Sequence, residues 1–94
     1  MKVEVRIPVS ECSDLVAKGL RCVKYRSKSA LLRAFRTEEP AKELADLPDE
    51  AGPIFVTTVR RRRVYITPSD VRVLARSEEE AREVAEELKR ILGL

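Results

Sequence analysis

Four consecutive arginines stand between two short runs of β-branched and aromatic residues, and this stretch constrains the fold more than any other. The runs are residues 54–59 and 64–67, and Pro53 and Pro68 bound them. Val, Ile, Thr and Tyr favour strands, and Pro is typical of strand ends. Residues 60–63 are therefore predicted to form the bend between two strands or to run through a slightly longer hairpin. Four like charges placed there form either a solvated turn that keeps a strand edge from pairing or a site for an anion.

The composition indicates a single domain from a hyperthermophile. Charged residues make up 37% of the 94 residues, and Asn, Gln, His and Trp are all absent. Loss of amides together with gain of Glu, Lys and Arg is typical of thermophiles, so we expect a thermophilic and archaeal source. The length suits one domain over residues 1–94. No apolar run is long enough for a signal peptide or a membrane span, which predicts a cytoplasmic protein without membrane contact.

Charge is segregated along the chain. Residues 1–37 and 52–77 are strongly basic, whereas residues 38–51 and 78–94 are acidic. The basic segments carry strand and turn patterns, and the acidic segments carry helix patterns. If the sheet and the helices form separate layers, one side of the molecule is basic and the other is acidic.

The first third of the chain predicts a strand and then a short helix. Residues 2–9 alternate strictly, which is typical of a half-buried strand. Its two faces are Val3, Val5, Ile7 and Val9 on one side and Lys2, Glu4 and Arg6 on the other. Ser10 or Ser13 is then expected to cap a helix over residues 14–20.

The middle of the chain is harder to interpret. Residues 21–26 predict a second strand. Residues 30–37 fit a strand, which we favour because Leu31, Arg33 and Phe35 alternate with their neighbours, or a helix capped by Ser29. Residues 38–47 predict an acidic helix with a proline tolerated in its first turn.

The last element is the clearest. After a strand over residues 71–76, Ser77 is expected to cap a helix, with Glu80 completing a capping box and Gly93 ending it. An apolar helical stripe is formed by Ala81, Val84, Ala85, Leu88, Ile91 and Leu92. The element order predicts an α+β fold, a single two-layer domain with a mostly antiparallel curved sheet and helices on one face.

Recognisable catalytic chemistry is lacking. With three glycines and no His, the chain offers neither a phosphate-binding glycine loop nor a catalytic triad. Cys12 and Cys22 without His are an improbable zinc site, and across a presumed helix they are not expected to be bridged, although thermophile cytosol permits disulfides. We therefore expect a protein that is not an enzyme, with no catalytic residue, cofactor or metal.

The outward face of the predicted sheet is the best candidate for function. Arginines match phosphates, and an interleaved Tyr can stack on a base. The competing interpretation is a solvated thermophile surface with scattered arginines. The candidate nucleic-acid-binding residues are Arg6, Lys24, Arg26, Arg60, Arg61, Arg62, Arg63, Tyr65, Arg72 and Arg76.

Two hypotheses of function follow from this face. The first is a small nucleic-acid-binding module that contacts mainly phosphates, because no Asn or Gln is present to read base edges. The second is a small subunit of a larger protein or ribonucleoprotein assembly, which docks the same face on an acidic partner. A homodimer formed through a sheet edge belongs to the second hypothesis.

Residues 63–81, RVYITPSDVRVLARSEEEA, resemble the last hairpin and final helix of one repeat of the TATA-box-binding protein fold. That repeat runs strand, helix, four strands, helix, with its helices on one face of a curved sheet. The resemblance implies that the underside of the sheet faces nucleic acid. The chain is also similar to the small assembly subunit of the archaeal KEOPS complex, which likewise ends in a hairpin and a long helix.

Overall fold

One five-stranded antiparallel sheet with four helices makes up the computed structural model, which describes residues 1–94. The strands lie in the order β1-β5-β4-β3-β2. The expected α+β class with an antiparallel sheet is confirmed. The elements are β1 (Lys2–Val3), α1 (Cys12–Val16), β2 (Val23–Tyr25), α2 (Lys28–Ala34), α3 (Glu39–Glu43), β3 (Ile54–Val59), β4 (Arg62–Ile66), β5 (Val71–Val73) and α4 (Glu78–Leu92).

The predicted arginine bend is confirmed as a two-residue turn. Val59 pairs with Arg62 at the end of the β3–β4 ladder, which leaves Arg60 and Arg61 between the strands. Both turn residues have positive φ, 51° and 65°. This left-handed pair matches the twist of the flanking strands, and it usually contains Asn or Gly. Arg62 and Arg63 belong to β4 rather than to the turn.

One face of the sheet packs against α1 and α4, and we call it the α4 face. Ser77 Oγ accepts the N–H of Glu80 at 3.1 Å, and Gly93 ends the helix with a φ of 76°. The apolar stripe of α4 is buried as predicted. The core of this face consists of Ile7, Leu15, Phe55, Val59, Val64, Ile66, Val71, Val73, Ala81, Val84 and Leu88.

The opposite face packs against α2 and α3, and we call it the α2 face. Its smaller core contains Leu31, Leu44, Ile54 and Tyr65. The expectation that all helices lie on one face therefore does not hold. Placing helices on both faces lets each side of the alternating strands bury apolar side chains.

The strand favoured for residues 30–37 is wrong. This stretch lies largely in α2, and Ser27 Oγ accepts the N–H of Ala30 at 3.1 Å, so Ser27 rather than Ser29 is the cap. A short stretch with apolar residues at Leu31 and Phe35 fits both periods. The helix is the form observed, and it buries Leu31, which is 0% exposed, against the sheet.

Several predicted elements are shorter than expected. The first strand pairs only over Lys2–Val3, and the residues after it make local bonds such as Val9 N–H to Ile7 O at 2.9 Å. Its apolar residues still line the α4 face. Helix α1 begins at Cys12 with no side-chain cap, so neither predicted serine caps it. Helix α3 covers Glu39–Glu43 rather than residues 38–47.

A disulfide joins Cys12 and Cys22, contrary to expectation. The prediction placed a helix over residues 14–20, which would hold the two cysteines apart. Helix α1 instead ends at Val16, and the chain reverses through Gly19, whose φ is 83°. The reversal brings the two Cα atoms to 5.5 Å, within the usual range for a disulfide. None of the four helices combines the length and apolar character required to cross a membrane.

Candidate nucleic-acid interface

Tyr65 and Arg72 lie on the predicted side of the sheet, but neither is accessible. Opposing residues of antiparallel strands share a face, so the register places Val56, Tyr65 and Arg72 in one row of the α2 face. Tyr65 is 0% exposed and Arg72 is 2% exposed. The expected open basic face is therefore wrong at its centre. The acidic segment 38–51 covers arginines of opposite charge there instead of forming a separate acidic side.

Arg72 is the centre of an ion-pair network in which Asp70 is buried and Asp46 is exposed. Its guanidinium donates to Asp70 Oδ1 at 2.9 Å and to Asp46 Oδ1 at 2.7 Å, and also to the Glu43 carbonyl at 2.9 Å. Thr67 Oγ1 donates to Asp70 Oδ1 at 2.6 Å. The hydrogen bond from Arg72 lowers the pKa of Asp46 below its ordinary value. Arg72 thus links β5 to Glu43 at the end of α3 and to Asp46 beyond it, so its role is structural.

Tyr65 and Arg63 share one carboxylate. Tyr65 Oη and Arg63 Nη1 each donate to Glu39 Oε1 at 2.9 Å. Burial raises the pKa of the Tyr65 hydroxyl well above its ordinary value. Tyr65 therefore cannot stack on a base. Arg63 differs, because its side chain is 40% exposed and its guanidinium carbon lies over the Phe35 ring, 5.1 Å from the centroid.

Arg60 and Arg62 extend from the hairpin towards α4. Arg62 donates to Glu80 at 3.0 Å, and Arg60 lies 3.4 Å from Glu87. The backbone N–H of Arg76, and after it Arg62, lower the pKa of Glu80. The acidic side chains of α4 thus neutralise two of the four hairpin arginines.

The remaining predicted residues divide between the two ends of the sheet. Arg61 and Arg76 are exposed at the hairpin end and have no carboxylate partner, whereas Arg6 and Arg26 lie exposed at the opposite end. Lys24 is close to Glu11, at 3.6 Å, and its ammonium lies over Phe55.

Sequence reasoning missed three further exposed arginines. Arg21 precedes β2 on the side of the hairpin, because β2 runs antiparallel to β3. Arg33 lies in the last turn of α2, and Arg36 follows Phe35, which contacts Arg63. None of the three has a carboxylate partner among the ion pairs of the structure. The strong positive charge of residues 1–37 was the signal that could have indicated them.

Part of the α2 face remains uncovered near the hairpin, and we call it the open ledge. It is formed by Val23, Val56, Thr58, Arg63 and Leu74. Val23 is 51% exposed and Leu74 is 39% exposed, whereas Tyr65 and Arg72, which lie in the same row as Val23 and Val56, are buried.

The surface depressions offer no comparable alternative. The largest, of about 760 Å³, lies along α4 and is lined only by charged side chains of both signs. No group of three or more His, Cys, Asp or Glu side chains is arranged to hold a metal ion.

Fold and ledge together define an α+β domain with an open, partly apolar stretch of sheet bordered by arginines. No family model, curated protein or solved structure matches the chain.

Proposed function

We propose that the protein is a non-enzymatic nucleic-acid-binding module that contacts phosphates with the arginines around the open ledge. The observation that carries the proposal is the distribution of unpaired charge. Arg61 and Arg76 are exposed at the hairpin end without a carboxylate, as are Arg21 and Arg36 near the ledge. The neighbouring hairpin arginines are already neutralised by Glu39 and by α4. Four unpaired arginines therefore border the open ledge and give it a positive rim, whereas two others, Arg6 and Arg26, lie at the far end of the sheet.

The hairpin turn supports the same proposal. A left-handed conformation costs a non-glycine residue about 1–2 kcal/mol, and this chain places Arg60 and Arg61 there. Gly would fit both positions without that cost. Strained residues persist where the surrounding structure holds them in place, and they cluster at functional sites.

Binding of this kind would be mainly electrostatic. A guanidinium can grip a phosphate with two parallel hydrogen bonds, which fixes the position of the nucleic acid without reading its sequence. Affinity should fall steeply with salt, with a log–log slope of roughly 0.7–0.9 for each phosphate contacted.

We also propose that the protein comes from a thermophile and is located in the cytoplasm. Disulfides are rare in mesophile cytosol but common in intracellular proteins of hyperthermophiles. The Cys12 to Cys22 bridge and the linked ion pairs around Arg72 both fit such a source.

A second candidate function is a small subunit of a larger assembly. Val23 and Leu74 are exposed apolar side chains on the open ledge, and apolar patches next to arginines are typical of protein interfaces. An acidic protein partner would then cover the ledge. This alternative predicts weak binding to nucleic acid from the start.

The test compares two double variants at opposite ends of the sheet. Arg61→Ser with Arg76→Ser removes unpaired charge beside the ledge, and Arg6→Ser with Arg26→Ser removes the same charge at the far end. Fluorescence anisotropy against labelled DNA and RNA is measured at two salt concentrations.

The ledge pair should weaken binding across unrelated sequences and reduce the salt slope by roughly 0.7–0.9 for each phosphate that is no longer bound. The far pair should change both quantities much less. If the two double variants weaken nucleic-acid binding equally, the ledge is not the binding site. If the wild type binds no tighter than about 10⁻⁴ M at low salt, the nucleic-acid function is wrong and the assembly subunit takes its place.

A further inference from the structure

We propose that the open ledge is specific for single-stranded nucleic acid and that one base stacks on the guanidinium plane of Arg63. This inference rests on the proposed function and adds the class of nucleic acid and the mode of contact.

Arg63 is held in one orientation by its neighbours. Its guanidinium carbon lies over the Phe35 ring, 5.1 Å from the centroid, and Nη1 donates to Glu39 Oε1 at 2.9 Å. Phe35 itself lies edge-on to Tyr65, with ring centroids 6.5 Å apart. The side chain nevertheless keeps 40% of its surface exposed. An immobilised, partly exposed guanidinium offers a flat surface without a large loss of side-chain entropy on binding.

Charge distinguishes Arg63 from the unpaired arginines. Glu39 already neutralises it, so it is a poor additional partner for a phosphate. The hydrogen bonds of a guanidinium lie in its plane, so the ion pair occupies neither face. Phe35 covers one face, and the base would stack on the other. Bases of single strands stack on arginine planes as well as on aromatic rings. Arg63 is therefore suited to the base, and Arg61 and Arg76 to the backbone.

The rest of the ledge fits an unpaired base better than a duplex. Thr58, an exposed residue with a hydroxyl, lies directly opposite Arg63, while Leu74 flanks Arg63 on the other side. A hydroxyl can bond to a base edge or a ribose, and an apolar side chain packs on a base or sugar face. A duplex hides its base faces within the stack, so it could engage only the surrounding arginines through phosphates.

The experiment uses Arg63→Lys, which keeps the charge opposite Glu39 but removes the plane. Arg61→Lys is the matched control, because it makes the same change at a residue assigned to phosphates, which single strands and duplexes both present. The probes are a single-stranded RNA, a single-stranded DNA, their duplexes, and a single strand whose central bases are abasic. Anisotropy gives each affinity, and thermal unfolding checks that the variants are folded.

The wild type should bind single strands more tightly than duplexes. Arg63→Lys should weaken single-strand binding by roughly 5- to 150-fold, the effect of losing one base stack, and leave duplex binding nearly unchanged. Arg61→Lys should change neither by as much. The RNA and DNA arms show which single strand is preferred. The wild type should bind the abasic strand more weakly than the intact strand by a similar factor, and this comparison needs no variant.

Two results would overturn the inference, and they differ in what they leave standing. If the wild type binds duplex, single strand and abasic strand equally, the base stack is absent while phosphate binding by the ledge survives. If the wild type binds none of the probes, the proposed function fails together with the inference.

Discussion

Replacing Arg72 by Met tests whether this arginine is a structural residue rather than a ligand-binding one. Met preserves much of the length and apolar volume of the side chain but removes all of its donors. Asp70, only 3% exposed, would then remain buried without its main partner, and Asp46 would lose its hydrogen bond. The nearest remaining cation is Lys2, whose ammonium is 3.8 Å from Asp70.

The expected loss is large for a domain of this size. Breaking a buried ion pair by removing one partner costs about 3–5 kcal/mol, because the other charge is left in a poorly solvated site. For a domain near 100 residues, 1 kcal/mol corresponds to about 4–8 °C in Tm, so the midpoint should fall by roughly 12–40 °C. Thermal and urea unfolding followed by circular dichroism measures both quantities.

Two companion variants separate the cause from a general loss of packing. Arg61→Met makes the same change at an exposed position and should stay within about 0.5 kcal/mol of the wild type. Adding Asp70→Asn to Arg72→Met removes the stranded charge and should recover part of the loss. An Arg72→Met variant as stable as the Arg61→Met control would refute the structural role and return Arg72 to the candidate ligand-binding residues.

Three further predictions address the cap, the disulfide and pH. Ser77→Ala should cost about 1 kcal/mol in urea unfolding because α4 loses its cap, whereas Ser10→Ala should have no such effect. Replacing Cys12 and Cys22 with Ser should leave a folded domain that is less stable by about 2–3 kcal/mol, as expected for a loop of this length, and an unchanged Tm would contradict the bridge. The lowered pKa of Asp46 contributes stability above its unfolded pKa of about 3.9, and this contribution is lost as the pH falls through the folded value. Asp46→Asn should therefore flatten the acid limb of a Tm–pH profile, and a superimposable profile would show that the ion pair adds nothing.

Local signals account for the parts of the fold that the sequence predicted well. The limits of α4 follow from Ser77 and Gly93, whose capping roles depend on neighbours within one turn. The predicted capping box is not closed, because the Glu80 carboxylate accepts the N–H of Arg76 rather than that of Ser77. The arginine bend follows from two β-rich runs separated by a short charged stretch. The strand order could not be predicted, because β1 pairs with β5 across nearly the whole chain.

The site was predicted less well, for a reason that lies in long-range packing. Alternation placed Tyr65 and Arg72 on the correct face, but exposure depends on what covers that face. The acidic segment that covers them is adjacent to neither residue in sequence. Its charge, opposite to that of both flanking segments, was the available sign that it would fold over the arginines.

Residues 30–37 show a different limit. The helical and the strand periodicity both fit so short a stretch. The helix forms because it packs Leu31 against Ile54 and Tyr65 from β3 and β4. Neither strand is near in sequence, so no local rule could decide between the two interpretations.

The two-residue turn also fixes the alignment of β3 and β4. Because side chains alternate along a strand, a slip by one residue would carry Arg63 and Tyr65 into the core beneath α4 and turn Val64 and Ile66 towards the α2 face. A two-residue left-handed turn prevents such a slip, because a shifted register would need a loop of a different length between β3 and β4. An inserted residue at this turn should therefore harm the protein more than any exchange of the turn arginines, because it would misplace a whole strand rather than one side chain.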